Sequence, residues 1–339
     1  METASLSPEQ LAGQRLMVGF EGTRLDDDLK RLIATFKVGG VILFARNLET
    51  PQQIQDLCLS LQAFARDCRQ PPLFIAIDQE GGTVARLKPP FTRFAGNAAM
   101  RSEQEARDFA RITAGELAGI GVNMNMAPVM DVIPRDGESI MRDRSFGHDP
   151  AWVSRLGIQV IDRLQRGGIM AVAKHFPGIG RTIIDSHLAL PTVDSDAQTL
   201  ESRDLLPFRA AIEHGVAGIM LSHILYAQLD PQWPASLSPS IAGNLLRKRM
   251  GYEGIVMTDD LDMGAVLQHC DIRTAMGQVL AADVDLALIC RNSPKVEAAF
   301  ETILAALAVD PALRRRGRTS VDRILALKGK YLQPRPVVV

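Results

Sequence analysis

GIMAVAKHFPGIGRTIIDSHLALP, residues Gly168 to Pro191, brings a buried strand and a reactive loop together in one stretch. The run from Gly168 to Ala173 is apolar on both faces, as a strand covered from two sides must be. It delivers a cation, Lys174, and an imidazole, His175. The chain then breaks on Pro177, Gly178 and Gly180 into a loop that carries Asp185 and His187. Two residues apart in a loop, a carboxylate and an imidazole can touch. The carboxylate then fixes the tautomer of the ring and raises the basicity of its far nitrogen, which makes an orienter and a base. The third partner, a nucleophile, must come from elsewhere in the chain.

Outward from this stretch the same unit recurs. Apolar runs occupy Arg15 to Phe20, Val38 to Phe44, Leu73 to Ile77, Val122 to Val132, Ile169 to Phe176, Ala217 to Ile224, Gly254 to Met257 and Asp283 to Ile289. Between and after them lie segments with helical spacing: Asp26 to Lys37, Pro51 to Arg69, Glu103 to Leu117, Trp152 to Gln165, Leu200 to Glu213, Ile241 to Met250, Met263 to Ala281 and Pro294 to Leu307. Strand and helix in alternation, with strands apolar on both faces, imply a parallel sheet covered by helices. Eight such units in 339 residues predict an α/β fold, a single-domain (β/α)8 barrel over residues 1–339. No Pro/Gly/Ser linker or low-complexity tract marks a boundary. The long connections, Ile133 to Asp149 and Pro177 to Gln198, are expected on the catalytic face.

Composition narrows the partners. A formal charge of -1 leaves no field to draw in nucleic acid or an anionic membrane. The one dense basic cluster, Arg314 to Arg318, reads as the solvated face of a last helix. Cys58, Cys68, Cys270 and Cys290 lack metal-ligand spacing and read as reduced, mostly buried thiols. The polar start, METASLSPEQ, and the lack of a run long enough to span a membrane lead us to expect a cytoplasmic protein.

Active sites of such barrels are built at the C-terminal ends of the strands, and the polar residues obey that rule. Asp78, Gln79 and Glu80 follow the third run, Arg142, Asp143 and Arg144 the fourth, Lys174 and His175 end the fifth, Ser222 and His223 the sixth, and Thr258, Asp259 and Asp260 the seventh. Buried polar groups there are costly without partners or a ligand. Each has a plain alternative. TDDLDM can be an acidic first turn on the next helix, with Asp259 the residue for the barrel mouth and Asp260 the better cap. DQEGG can be a tight turn facing water. Lys174 and His175 can be an ion pair and a satisfied core histidine, and His223 is read as structural at least as readily as functional.

Taken together these motifs resemble the family 3 glycoside hydrolases, in particular the bacterial β-N-acetylglucosaminidase branch that acts in peptidoglycan recycling. The resemblance rests on KHFPG followed after six residues by DSH, on DQEGG with Arg86 downstream, on APVMDV (Ala127 to Val132), DRSFG (Asp143 to Gly147) and TDDLDM (Thr258 to Met263). It spans about Leu16 to Ile289. It implies that Asp259 is the nucleophile, that His187 is the general acid/base polarised by Asp185, and that Asp78, Arg86, Arg144, Lys174 and His175 bind N-acetylglucosamine. It also implies a one-domain barrel without bound metal or organic cofactor, acting on a small carbohydrate such as a GlcNAc-containing muropeptide. The reaction implied is retaining exo-hydrolysis of terminal GlcNAc from muropeptides or chitooligosaccharides. Because a neutral imidazole does not repel an anionic nucleophile, phosphorolysis stays open beside hydrolysis.

Two departures from the family pattern stand out. Ile179 and Arg181 occupy the places where HGDT commonly puts His and Asp, and Arg181 is expected to compete for Asp185. Met141 and Arg142 replace a commoner Ile and Gly before DRSFG, and are expected to alter the loop's rim or the leaving-group side of the pocket. The other readings are another family 3 exo-β-glycosidase, a metal-dependent hydrolase using His175, His187, His223 and Asp259, and a sugar-binding barrel without catalysis. Against a β-glucosidase stand the Asp185/His187 pair and the expectation that no second domain fits after Ile289. The sequence leaves the natural aglycone and the oligomeric state open.

Overall fold

The computed structural model of the protein describes residues 3–184, 190–193 and 197–332. Eight parallel strands close into a barrel: β1 (Leu16–Val18), β2 (Gly40–Leu43), β3 (Phe74–Ile77), β4 (Met124–Asn125), β5 (Met170–Phe176), β6 (Gly218–Leu221), β7 (Ile255–Asp260) and β8 (Leu286–Ile289). Each pairs with the next in sequence, and β8 returns to β1 with Met17 opposite Leu288. The expected barrel is therefore observed, one strand for each apolar run.

Period-two alternation separates two cores. Met17, Phe74, Ala76, Met124, Met170, Val172, Ile255, Met257, Leu286 and Leu288 fill the barrel interior as one cluster. Their neighbours Leu16, Val18, Ile75, Ile77, Ala171, Ala173, Val256, Ala287 and Ile289 turn outward into the layer beneath the helices. Both faces of each strand are thus dry, which is why the runs read as continuously apolar. Unbranched methionine fills the irregular space inside, with Met126 and Met220 joining those named.

The helical layer begins with α1 (Asp27–Ala34), α2 (Pro51–Asp67), α3 (Glu103–Gly119) and α4 (Pro150–Arg166). The side chains of Asp26, Thr50, Ser102 and Asp149 cap their first turns. Each such cap contributes about 1 kcal/mol. The later helices depart from expectation. Leu200 to Glu213 is wound wide over Leu200–Asp204 before α5 (Leu205–Glu213), where Pro207 has no N–H to offer the Arg203 carbonyl. α6 (Pro239–Arg249) is wound as a π-helix throughout. Met263 to Ala281 divides into a short turn, Gly264–Leu267, and α7 (Ile272–Ala281), because Asp271 accepts from the Thr274 amide and starts a new helix. After β8 come α8 (Pro294–Val309) and α9 (Pro311–Tyr331). Arg314 to Arg318 lies on α9, mostly solvated as expected, while Ile324 and Tyr331 of the same helix join the interior cluster.

The expected strand Val122 to Val132 is regular only over β4. Its continuation follows β5 irregularly, through one isolated bridge, Val129 to Lys174, and through the Val172, Lys174 and Met130 amides, which donate to the Ala127, Pro128 and Lys174 carbonyls. No helix among the described residues is long and apolar enough to cross a membrane, and all four cysteines are free.

Candidate active site

At the C-terminal ends of the strands a cavity of about 200 Å³ is lined by Asp78, Arg86, Arg144, Lys174, His175 and Asp259 among apolar side chains that include Phe44, Ile179 and Met220. The residues that sequence reasoning assigned to sugar binding, and the assigned nucleophile, thus meet in one place. Asp185 and His187 lie outside the described residues. A larger groove, about 620 Å³, opens at the opposite end of the barrel between Gln62, Gly121, Gly168 and Leu332, but its described lining carries no carboxylate or imidazole.

The cavity floor is a chain of ion pairs. Lys174 Nζ lies 2.8 Å from Asp78 Oδ1 and 2.6 Å from Glu80 Oε1. Arg144 grips Glu80 with two donors, Nε to Oε2 at 3.0 Å and Nη2 to Oε1 at 2.7 Å, the fork geometry that suits a guanidinium. Arg86 Nη2 donates to Asp78 Oδ2 at 3.3 Å. Burial opposes every charge here, yet the pairing prevails. Lys174 and Arg86 hold the Asp78 carboxyl down at about 2, and Lys174 with Arg144 lowers Glu80. Against the same burial penalty, Asp78 and Glu80 raise Lys174, and Glu80 raises Arg144. The set is therefore fully ionised at neutral pH. Arg86 Nε finds no protein acceptor among the described residues, a donor left for a ligand oxygen.

Glu80 was missing from the sequence-derived site, although it stands in DQEGG. It shares a face with Asp78, two residues earlier, while Gln79 turns away and accepts from the Arg86 and Leu87 amides.

Asp259 stands half-buried near the end of β7, and its Oδ1 accepts the Asp260 amide at 2.8 Å. Burial pushes its carboxyl up, but the His223 and His175 rings, that hydrogen bond and Lys174 carry it below the usual range. An ionised carboxylate in a small, half-apolar cavity is a nucleophile or a counter-charge for a developing cation.

Asp260 does not cap the helix that follows. Its Oδ1 accepts the Asp262 and Cys290 amides, each at 2.9 Å, and ties the β7 turn to the end of β8. Burial pushes its carboxyl up to about 6. His223 is buried with both ring nitrogens engaged, Nδ1 on Ser236 Oγ at 2.6 Å and Nε2 on the Asp260 carbonyl at 2.9 Å. It is a structural histidine, and no nitrogen is left for the metal set considered from sequence. Among the described residues no cluster of three or more His, Cys, Asp or Glu is arranged to hold a metal ion.

The strand-to-loop turn after His175 is held from several sides. Ile179 donates its amide to Asp131 Oδ1 at 2.8 Å, Tyr226 Oη donates to the Gly178 carbonyl at 2.9 Å, and Arg181 Nη2 lies 2.5 Å from Asp204 Oδ2. Arg181 thus pairs with a buried carboxylate from the turn before α5, and the expected competition for Asp185 falls outside the described residues. Despite that cation, burial pushes the Asp204 carboxyl up to about 6. Met141 is fully buried beneath Arg144 rather than on a rim, whereas Arg142 is exposed.

A closed (β/α)8 barrel with an ionised carboxylate, Asp259, beside a lattice of charged hydrogen-bonding groups at its C-terminal mouth is the architecture of an enzyme and suits a polyhydroxyl ligand. The profile of the glycosyl hydrolase family 3 N-terminal domain matches residues 9–327, and the chain belongs to that family. It is 34% identical over 97% of its length to β-hexosaminidase A of Pseudoalteromonas piscicida, and 37% identical over 84% of its length to a β-hexosaminidase of Alkalilimnicola ehrlichii. Those matches take in 62% and 82% of the respective relatives. Among solved structures, a family 3 β-N-acetylglucosaminidase from Paenibacillus sp. FPU-7 superposes with a TM-score of 0.94 at 37% identity, over 99% of this chain and 65% of that one.

Proposed function

We propose that the protein is a retaining exo-β-N-acetylglucosaminidase that removes terminal GlcNAc from muropeptides or chitooligosaccharides in the cytoplasm, as a step of peptidoglycan recycling. The observation that carries this reading is the convergence of Asp259 with Asp78, Arg86, Arg144, Lys174 and His175 on one cavity. The names of the relatives support it. Four free cysteines are in keeping with a reducing compartment.

An Asp259 oxygen attacks the anomeric carbon as the bond to the leaving oxygen breaks, and His187, held by Asp185, supplies the proton that oxygen needs. Water then attacks the anomeric carbon, gives its proton to the now neutral His187, and releases the Asp259 carboxylate and GlcNAc with retained configuration. The Asp78–Lys174–Glu80–Arg144 lattice holds the sugar's hydroxyls by charged hydrogen bonds already in place before binding.

A path for the leaving group supports the muropeptide reading. Ile140, at the cavity wall, also lines a groove of about 280 Å³ with Glu138, Arg142 and Ile183. Arg142 in turn shares a groove of about 510 Å³ with Arg101, His148 and Trp152. Neither Arg101 nor Arg142 forms a side-chain salt bridge among the described residues, so carboxylates on the leaving group suit them.

The test is turnover of a chromogenic β-N-acetylglucosaminide with and without phosphate. Hydrolysis to free GlcNAc is expected, and Asp259→Ala is expected to lower kcat by about 10⁴-fold or more. Near wild-type activity in that variant would sink the assignment; a sugar 1-phosphate product would replace hydrolysis with phosphorolysis.

A further inference from the structure

We infer that Asp131 is a positioning residue for the reaction proposed above, a single carboxylate that sets both the tautomer of His175 and the start of the loop leading to Asp185 and His187. The inference rests on that reading of the site.

Asp131 is fully buried, just beyond β4. Its Oδ2 lies 2.8 Å from His175 Nδ1, the His175 amide lies 3.3 Å from both oxygens, and the Ile179 amide donates to Oδ1 at 2.8 Å. An ionised carboxylate only accepts. The proton of a neutral His175 ring therefore sits on Nδ1, and Nε2, the basic nitrogen, is the one left for the cavity that His175 lines. Ile179 stands four positions after His175, and between them the chain leaves the strand and becomes the loop. One carboxylate thus holds the two ends of that transition. The Tyr226 and Asp204 contacts also fasten the turn, but they touch its loop side and do not reach the imidazole.

The consequence is a coupling. A displaced Asp131 turns the His175 acceptor out of register with a sugar hydroxyl, and at the same time releases the Ile179 amide. Asp131→Asn keeps the shape but sets an N–H against Nδ1, which must then accept, so the ring proton moves to Nε2. Carboxylates behind ligating histidines are worth about 10–100-fold in function, and a loss of that size in kcat/KM is expected here.

Two measurements decide. Nitrogen-15 NMR of the wild-type imidazoles, with the His175 signal assigned by its loss in His175→Ala, is expected to show the proton on Nδ1, and in Asp131→Asn on Nε2. In kinetics with a chromogenic β-N-acetylglucosaminide, measured well below the thermal midpoint of each variant, the Asp131→Asn loss is expected to shrink markedly when His175 is already alanine. A wild-type ring protonated on Nε2, or the same loss in both backgrounds, overturns the inference. If the wild type turns over no β-N-acetylglucosaminide, the proposed function falls instead, and the NMR result still decides the tautomer. The wild-type spectrum needs no folded variant at Asp131.

Discussion

Glu80 joins the cations of the cavity floor into one lattice, because it alone touches both Arg144 and Lys174. Its side chain is 1% exposed, so a charge left there without a partner is not rescued by water. Glu80→Gln removes the anion and leaves Arg144 facing a neutral amide. Breaking a buried pair in this way costs about 3–5 kcal/mol. Urea denaturation is expected to show a loss of that order, with a raised KM for a chromogenic β-N-acetylglucosaminide. An unchanged urea midpoint would mean that Asp78 alone satisfies Lys174. The sequence placed Asp78, Gln79 and Glu80 at the end of the third run without singling out Glu80. It could not name Arg144 as the partner, since a separation of 64 positions carries no local signal. The same holds for Asp131, which sits inside APVMDV as one acidic residue in an apolar run. Its importance lies in donors from a strand 44 residues on.

At the scale of one element, the turn from β5 into the reactive loop depends on two glycines for different reasons. Gly178 has φ +124°, a conformation that side chains rarely take. Gly180 lies so close to the chain beyond β4 that an added Cβ would meet the Val132 carbonyl oxygen at 2.1 Å. The groups a Cβ on Gly180 would meet, in Val132 and Ile133, are backbone, so the strain there cannot be relieved by a rotamer change. Gly180→Ala is expected to push the loop start away from Val132. A displacement of about 1 Å in catalytic machinery costs roughly 10²-fold, which is the loss expected in kcat/KM. Kinetics set beside thermal unfolding would check this, with activity falling further than stability. Reading PGIG as a break in the strand was possible from sequence; reading why the second glycine is needed was not, because the obstacle belongs to another strand. Arg181 teaches the same lesson, since its carboxylate, Asp204, comes from a wide-wound turn that no periodicity announces.

The whole molecule was the most legible level. Eight runs apolar on both faces, each followed by a helical segment, leave few arrangements other than a closed parallel barrel, and the closure of β8 onto β1 follows from their number. What stayed hidden is how the barrel is shut from below. Lys328 of α9 reads as one more solvated cation in KGKY, yet its Nζ reaches Gln14 Oε1 at 2.6 Å and the Gly39 carbonyl at 2.8 Å, and lies 4.9 Å from the centre of the Phe74 ring. All these partners are neutral, and burial lowers the amine well below its usual range. Between that lowered value and about 10.4, the unfolded chain binds a proton that the folded chain does not, so stability rises with pH over this interval. Lys328→Met is expected to abolish the rise, as urea midpoints at a series of pH values would show; an equal rise in the variant would assign it to other groups. The mutual pairing inside the mouth has a further consequence, for how substrates arrive. Four carboxylates, Asp78, Glu80, Asp259 and Asp260, stand beside three cations, Arg86, Arg144 and Lys174, and the chain carries a net charge of only -1. Little net field reaches beyond the mouth, and a neutral glycoside, with no charge for it to act on, finds the barrel by unguided diffusion. Its kcat/KM should hold steady as salt rises from ~0.05 to ~0.5 M, whereas a leaving group that bears carboxylates, drawn by Arg101 and Arg142, should lose ground over the same range.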